Sequence, residues 1–237
     1  MQKPARTTLE RKSKKFQELA KLIEADKSYS LTEAIDLAIK TSPVAFDATV
    51  EMHVRLGVDP RQADQNLRDM VTLPSGTGKT LRVAVYADGE VAEAAKKAGA
   101  DIAAGDEFLQ QLEKGTIDFD ILVTTPMNMA KLSKYARLLG PKGLMPNPKS
   151  GTVTTDVAKA VTESKAGRVE YRVDSTGIVH AGIGKVSFGS AKLLLNVNAL
   201  VSSIKHNKPT SIKGNYVKSV YITTSMGPSI PVLISEI

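Results

Sequence analysis

The residues best suited to recognition chemistry alternate along two stretches of the chain. In residues 46–56, Asp47, Thr49, Glu51, His53 and Arg55 alternate with Phe46, Ala48, Val50, Met52, Val54 and Leu56. In residues 217–224, Ser219, Tyr221 and Thr223 share one parity, opposite Lys218, Val220, Ile222 and Thr224. Period-two spacing puts each polar set on one face of a strand. Hydroxyls donate and accept, a carboxylate accepts, and a guanidinium forks onto phosphate, so such faces can hold sugars, bases and phosphates without breaking a bond. A turn-rich loop at residues 139–152, LGPKGLMPNPKSGT, adds Lys142 and Lys149, each directly after a proline. Its prolines and glycines exclude a regular helix or a central strand. Its lysines then serve either phosphate contact or simple solvation.

Bond-making chemistry finds less support. Ser75-Gly76-Thr77-Gly78-Lys79-Thr80 ends like a phosphate-binding loop, but Leu73 stands where that pattern needs its first glycine. An apolar strand pattern follows it where a helix is required, so a turn is the better reading. No GxGxxG follows the first strand of the middle segment, which gives no reason to expect a dinucleotide. His53, His180 and His206 are far apart, with no carboxylate at metal-ligand spacing. They read as structural or surface residues, His180 within an apolar strand pattern and His53 with RNA contact open to it. We expect no catalytic residue, no metal and no cofactor.

The chain has 237 residues, 42% hydrophobic and 24% charged, which suits a folded protein of one large or two modest domains. It has no cysteine, so disulfides and thiolate metal sites are excluded. The basic N-terminal residues lead into no signal-peptide core, and no apolar run approaches a membrane span of about 20 residues. A cytoplasmic protein is expected. Net charge is +7, unevenly placed: residues 70–158 hold 10 Lys+Arg against 10 Asp+Glu, residues 1–69 hold 12 against 11, and residues 159–237 hold 10 against 4. Basic termini around a neutral middle fit a polyanion partner, or else serve solubility.

The elements follow from periodicity. Residues 7–25 have rough helical spacing, and Ser30 with Glu33 forms a capping box before a second helix ended near Pro43. Residues 46–56 read as a strand with one wet face. The middle alternates strands at 81–87, 101–104 and 119–124 with helices at 90–98, 107–114 and 128–139, the pattern of a parallel sheet covered on both sides. A helix at 156–165, strands at 168–173 and 178–183, a long helix at 191–206 and a last strand at 217–224 then return to the first body. The expected architecture is α/β in two domains: a discontinuous α+β domain with a split β-α-β sheet, residues 1–69 and 159–237, and an inserted three-layer Rossmann-like domain, residues 70–158. The crossings near 68–70 and 158–160 would be a hinge.

Several motifs together resemble the L-one family of large-subunit ribosomal proteins. LGPKGLMPNPKSGTV and Thr223-Thr224-Ser225-Met226-Gly227-Pro228 are similar to family signatures. So are Phe46-Asp47-Ala48-Thr49-Val50-Glu51, Gly57-Val58-Asp59-Pro60-Arg61, Asp64-Gln65-Asn66 and Lys165-Ala166-Gly167-Arg168-Val169-Glu170. The resemblance implies a non-catalytic constituent of the large subunit that binds ribosomal RNA at the mobile lateral stalk, assists release of exit-site tRNA and represses its own operon mRNA. It places ribosomal RNA contacts on Phe46, Thr49, Glu51, Arg55, Asp174, Thr176, Ser219, Ser225, Met226 and Gly227, with a secondary RNA or tRNA contact at Lys142 and Lys149. Apart from the resemblance, core packing suits Met226 as well. Ser225 stands where threonine is common in the family, and Ala45 where lysine is often found. The expected partners are the stalk-junction ribosomal RNA, exit-site tRNA and the operon mRNA; no membrane is expected, and the chain off the ribosome should be a monomer. An RNA regulator outside the ribosome and a nucleotide-dependent enzyme built on the middle domain are the rival readings.

Overall fold

A computed structural model describes residues 9, 11–24, 27–62, 64–212 and 214–237. In chain order the elements are α1 (Lys14–Ala20), α2 (Leu31–Lys40), β1 (Thr49–Leu56), β2 (Arg68–Thr72), β3 (Val83–Tyr86), α3 (Gly89–Lys97), β4 (Ile102–Ala104), α4 (Asp106–Glu113) and β5 (Ile121–Thr124). There follow α5 (Met129–Leu132), α6 (Ala136–Leu139), α7 (Val157–Ala166), β6 (Arg168–Arg172), β7 (Ile178–Lys185), α8 (Gly189–His206), β8 (Val217–Thr224) and β9 (Ile230–Val232). The fold is mixed α/β with several sheets. The chain divides into two compact units: residues 1–67, 73–78 and 171–237, and residues 68–72 with 79–170.

In the first unit the sheet order is β7-β1-β8-β9, every neighbouring pair antiparallel. Because β7 and β8 both oppose β1, they run parallel to each other, joined by α8 with β1 between them, which is a split β-α-β arrangement. Val50, Met52, Val54 and Leu56 of β1, Val179 and Ile183 of β7, and Val220 and Ile222 of β8 are buried. Helices α2 and α8 pack on this sheet and on each other, burying Ala34, Ile35, Leu193, Val197 and Leu200. At the start of α2 the Ser30 hydroxyl accepts from the Glu33 N–H and the Glu33 carboxylate accepts from the Ser30 N–H, the expected capping box, a cap typically worth about 1 kcal/mol. The C-terminal residues, which show no clear strand period, are ordered as β9 and a 3-10 turn at Ile234–Glu236. The Glu236 carboxylate accepts from the Leu31 N–H at 2.6 Å.

The second unit holds a parallel three-stranded sheet, β4-β3-β5. Its central strand is buried on both faces, as parallel sheets require. Val83 and Val85 face Ala95 of α3 and Val157, Ala160 and Val161 of α7. Ala84 and Tyr86 face Phe108 and Leu112 of α4 and Leu132 and Leu139 of α5 and α6.

Four differences from the sequence reading have physical causes. Helix α7 packs on the sheet of the second unit, where the periodicity had assigned it to the first body. The single helix expected over 128–139 is broken into α5, a 3-10 turn at Ser133–Tyr135 and α6, with the Ser133 hydroxyl donating back to the Ala130 carbonyl. The short strand β2 pairs with β6, about a hundred residues away in sequence, and nothing local announces it. The first helix is confined to Lys14–Ala20, with Ser13 accepting from the Phe16 N–H; Thr7, Thr8, Glu10 and Ala25 of the longer expected helix lie outside the described residues.

Candidate nucleic-acid interface

The side of β1 that turns away from α2 and α8 carries Thr49, Glu51, His53 and Arg55. Register supplies their neighbours. Thr49 lies opposite Lys185, Glu51 between Gly182 and Thr223, His53 between His180 and Tyr221, and Arg55 between Ile178 and Ser219. The six steps from Thr49 to Arg55 make a polar strip about 20 Å long. These side chains are half-buried to exposed, and Tyr221 is 40% exposed.

At one end, the Thr49 N–H donates to the Ser225 hydroxyl at 3.3 Å and the Ser225 N–H donates to the Thr49 carbonyl at 3.0 Å. The Lys185 ammonium donates to the Thr49 hydroxyl and to the Asp47 carbonyl, both at 3.1 Å. Thr49 therefore keeps its own O–H free to donate outward. Beyond β8 the Gly227 N–H donates to the Thr224 carbonyl at 2.8 Å, closing a tight turn whose tip is Met226. Met226 has φ 67° and is 75% exposed, which rules out the core-packing role. Among the described residues it alone takes positive φ without being glycine, a strained placement that in other proteins clusters at functional sites. Gly227 has a steric reason: a Cβ there would come within 2.2 Å of the Thr224 hydroxyl. Phe46 precedes the strand in a bend and is 60% exposed, so its opposite parity does not bury it.

At the other end, Asp174 and Thr176 form a turn leading into β7. The Asp174 carboxylate accepts from the Thr176 and Ile178 N–H groups and from the Thr176 hydroxyl, each at 2.8 Å. These bonds, the Ile178 N–H foremost, bring its carboxyl down to about 2. Thr176, having spent its proton on Asp174, faces outward as an acceptor. Between the two ends runs a line of ionisable groups: Glu51 lies 3.8 Å from His53, the two Nδ1 atoms of His53 and His180 are 2.8 Å apart, and His180 lies 3.5 Å from Asp174. A 2.8 Å contact requires one Nδ1 to be unprotonated. Burial, then the neighbouring His180, pushes the His53 imidazole below its ordinary value, against the pull of Glu51.

The fold thus brings Thr49, Glu51, Arg55, Ser219 and Ser225 onto or beside one strip, with Met226, Gly227 and Phe46 at one end and Asp174 and Thr176 at the other. Lys142 and Lys149 belong to the second unit, where both are exposed. Their loop is shaped by Asn147, whose side chain accepts from the Lys149 N–H at 2.9 Å, and by Gly151, where a Cβ would collide with the Arg168 guanidinium. The sequence reading left His180, Lys185, Tyr221 and Thr223 off the list of contacts. His180 was hidden by its apolar neighbours, although counting by twos from Ile178 puts it on the outer parity. The loop at 75–80 runs into β3 with no helix after it, and Asn196 of α8 clamps it from within by accepting from the Ser75 N–H and donating to the Gly76 carbonyl. It is a tethered turn.

No helix among the described residues is long and apolar enough to cross a membrane. Charge follows the units: the first carries 18 Lys+Arg against 12 Asp+Glu, the second 14 against 13. The polar strip therefore lies in the more basic unit. Residues 38–228 match the model of the ribosomal protein L1p/L10e family. The chain is also 53% identical, over 227 residues, to the large ribosomal subunit protein uL1 of Macrococcus caseolyticus (strain JCSC5402), covering 96% of this chain and 98% of that one. A match of that extent, spanning the strip, both its ends and the proline-rich loop, establishes that this chain belongs to the ribosomal protein L1p/L10e family.

Proposed function

We propose that the outer face of β7-β1-β8 binds large-subunit ribosomal RNA, making the protein a structural constituent of the large subunit at its lateral stalk. One observation carries the reading: hydroxyl, carboxylate, imidazole and guanidinium groups line up over about 20 Å of an exposed sheet in the basic unit. Sequence-selective RNA recognition relies on unpaired bases, the shallow minor groove and the ribose hydroxyl. Short side chains on a rigid sheet suit that work. Thr49, Ser219 and Ser225 serve ribose oxygens, Glu51 accepts from a ribose hydroxyl or base amine, Arg55 forks onto phosphate, and Gly227 lets the backbone approach closely. Asp174 acts by holding Thr176 in place. In this reading the unit of residues 68–72 and 79–170 is an insertion, its Lys142 and Lys149 meeting RNA or exit-site tRNA. The same face would take an RNA of like shape in the operon message and repress translation.

The test is binding of the purified full chain to a stalk-junction fragment of large-subunit ribosomal RNA over a salt series, beside Thr49→Val and Arg55→Ala. Tight binding that tolerates salt and weakens about tenfold in each variant supports the proposal; weak binding, steep in salt and indifferent to both, defeats it. Co-sedimentation with large subunits in high salt separates a resident of the ribosome from an RNA regulator outside it.

A further inference from the structure

Beside the Met226 turn, α1 and the segment at Pro43 and Val44 enclose a groove of about 570 Å³, within the roughly 300–1,000 Å³ of small-ligand sites. Phe16, Val44, Met226 and Pro228 give it apolar walls, and Lys12 and Lys15 also line it, with no acidic residue in the lining among the described residues. The Lys12 ammonium lies 5.6 Å from the centre of the Phe16 ring. Helix α1 buries none of its residues, so Phe16 is not committed to the core. Met226, with its left-handed backbone, supplies the facing wall.

We propose that this groove is a nucleotide subsite, taking one unpaired nucleotide of the RNA bound on the adjoining sheet face. The proposal rests on the RNA-binding reading of that face, with which it shares Met226 and Gly227. An aromatic ring and apolar walls beside two lysines match the two halves of a nucleotide. The base stacks on Phe16 against the Met226 thioether, and its phosphate meets Lys12 and Lys15. A peptide would need an aromatic and an acidic side chain in the same register, whereas every unpaired nucleotide offers both a π-face and a charge.

The experiment places a photoreactive phenylalanine analogue at position 16 of the full chain, bound to the stalk-junction RNA, and maps the crosslink. Affinities are measured in parallel for Phe16→Ala, for Lys12→Ala with Lys15→Ala, and for Arg55→Ala. The subsite predicts a crosslink to a single unpaired nucleotide and a loss of roughly 5- to 160-fold for Phe16→Ala at unchanged salt slope. It predicts a slope shallower by about 1.4 for the double lysine variant. A crosslink confined to paired nucleotides or to protein, or wild-type affinity in Phe16→Ala while Arg55→Ala is impaired, overturns the subsite and leaves the sheet-face reading standing. Wild-type protein that fails to bind the fragment overturns both. Because α1 has no buried residue, thermal melts of the Phe16 variant and of the Lys12 and Lys15 double variant should match wild type, which separates lost binding from lost folding.

Discussion

Met226 holds a backbone conformation that costs an L-residue roughly 1–2 kcal/mol. Met226→Gly should relieve that strain, offset in part by the entropy glycine brings to the unfolded chain, for a net gain of about 0.5–1 kcal/mol. Urea unfolding should show the gain while affinity for the junction RNA falls. Asp174 gives a second prediction at this scale. Its carboxyl, lowered from 3.8 to about 2, binds a proton more readily in the unfolded chain. Its stabilising contribution is therefore present above about pH 4 and lost as pH falls toward 2, with solvent screening trimming the amount since the side chain is 36% exposed. Asp174→Asn should be less stable than wild type at pH 7 and equal to it near pH 2, as followed by urea midpoints. His53 acts in the same direction at higher pH. Its native imidazole holds a proton less well than the ordinary 6.5, so stability is lost as pH drops below that value; NMR should find its midpoint under 6.5, and higher in His180→Gln. The turn at Asp174-Ser175-Thr176-Gly177 was legible between its two flanking strands, but the two-histidine contact was not. That contact depends on which residues the register sets side by side, and His53 and His180 are 127 positions apart.

At the scale of elements, legibility followed burial pattern. Strands β1 and β8 alternate strictly because one face meets α2 and α8 and the other is wet, so their polar residues sorted themselves. The central strand of the parallel sheet reads as an unbroken apolar run for the opposite reason. Strand β9, at three residues, and β2, at five, are too short to show a period. The interior of α8 hides a polar device of the same kind. Asn196 is fully buried, and its amide serves the Ser75 N–H, the Gly76 carbonyl and the Ile183 carbonyl, at 2.9, 3.0 and 2.7 Å. Asn196→Ala strands three backbone groups and should cost about 3 kcal/mol, read as a fall in urea midpoint. Asn196→Asp, which keeps the acceptor and loses both donors, should fall below wild type as well.

For the whole molecule, the charge division predicts which half drives association with the junction RNA. The first unit, 18 Lys+Arg against 12 Asp+Glu, should supply the salt-dependent part. If the partner of Lys142 and Lys149 is exit-site tRNA, replacing both by alanine should change affinity for the junction fragment by less than about twofold and leave the salt slope unaltered. Filter binding across a salt series decides it. A shallower slope in that double variant would move part of the contact to the second unit. The alternating strands and helices in the middle of the chain, which form the parallel sheet β4-β3-β5 with its helices, were legible. The assignment of α7 was not, because a helix with one apolar stripe carries no address for the sheet that will cover it.

The position of β1 between β7 and β8 also sets a timetable for synthesis. His53 leaves the peptidyl-transferase centre 127 residues before His180, an interval of about 6–25 s at 5–20 residues per second. During that interval the nascent chain carries a strand whose apolar side, Val50, Met52, Val54 and Leu56, has neither of its sheet partners. A prematurely terminated product would retain that exposed edge for its whole lifetime, a substrate for chaperones and proteases. Such a product could never assemble the polar strip, which needs β7 and β8 on either side of β1.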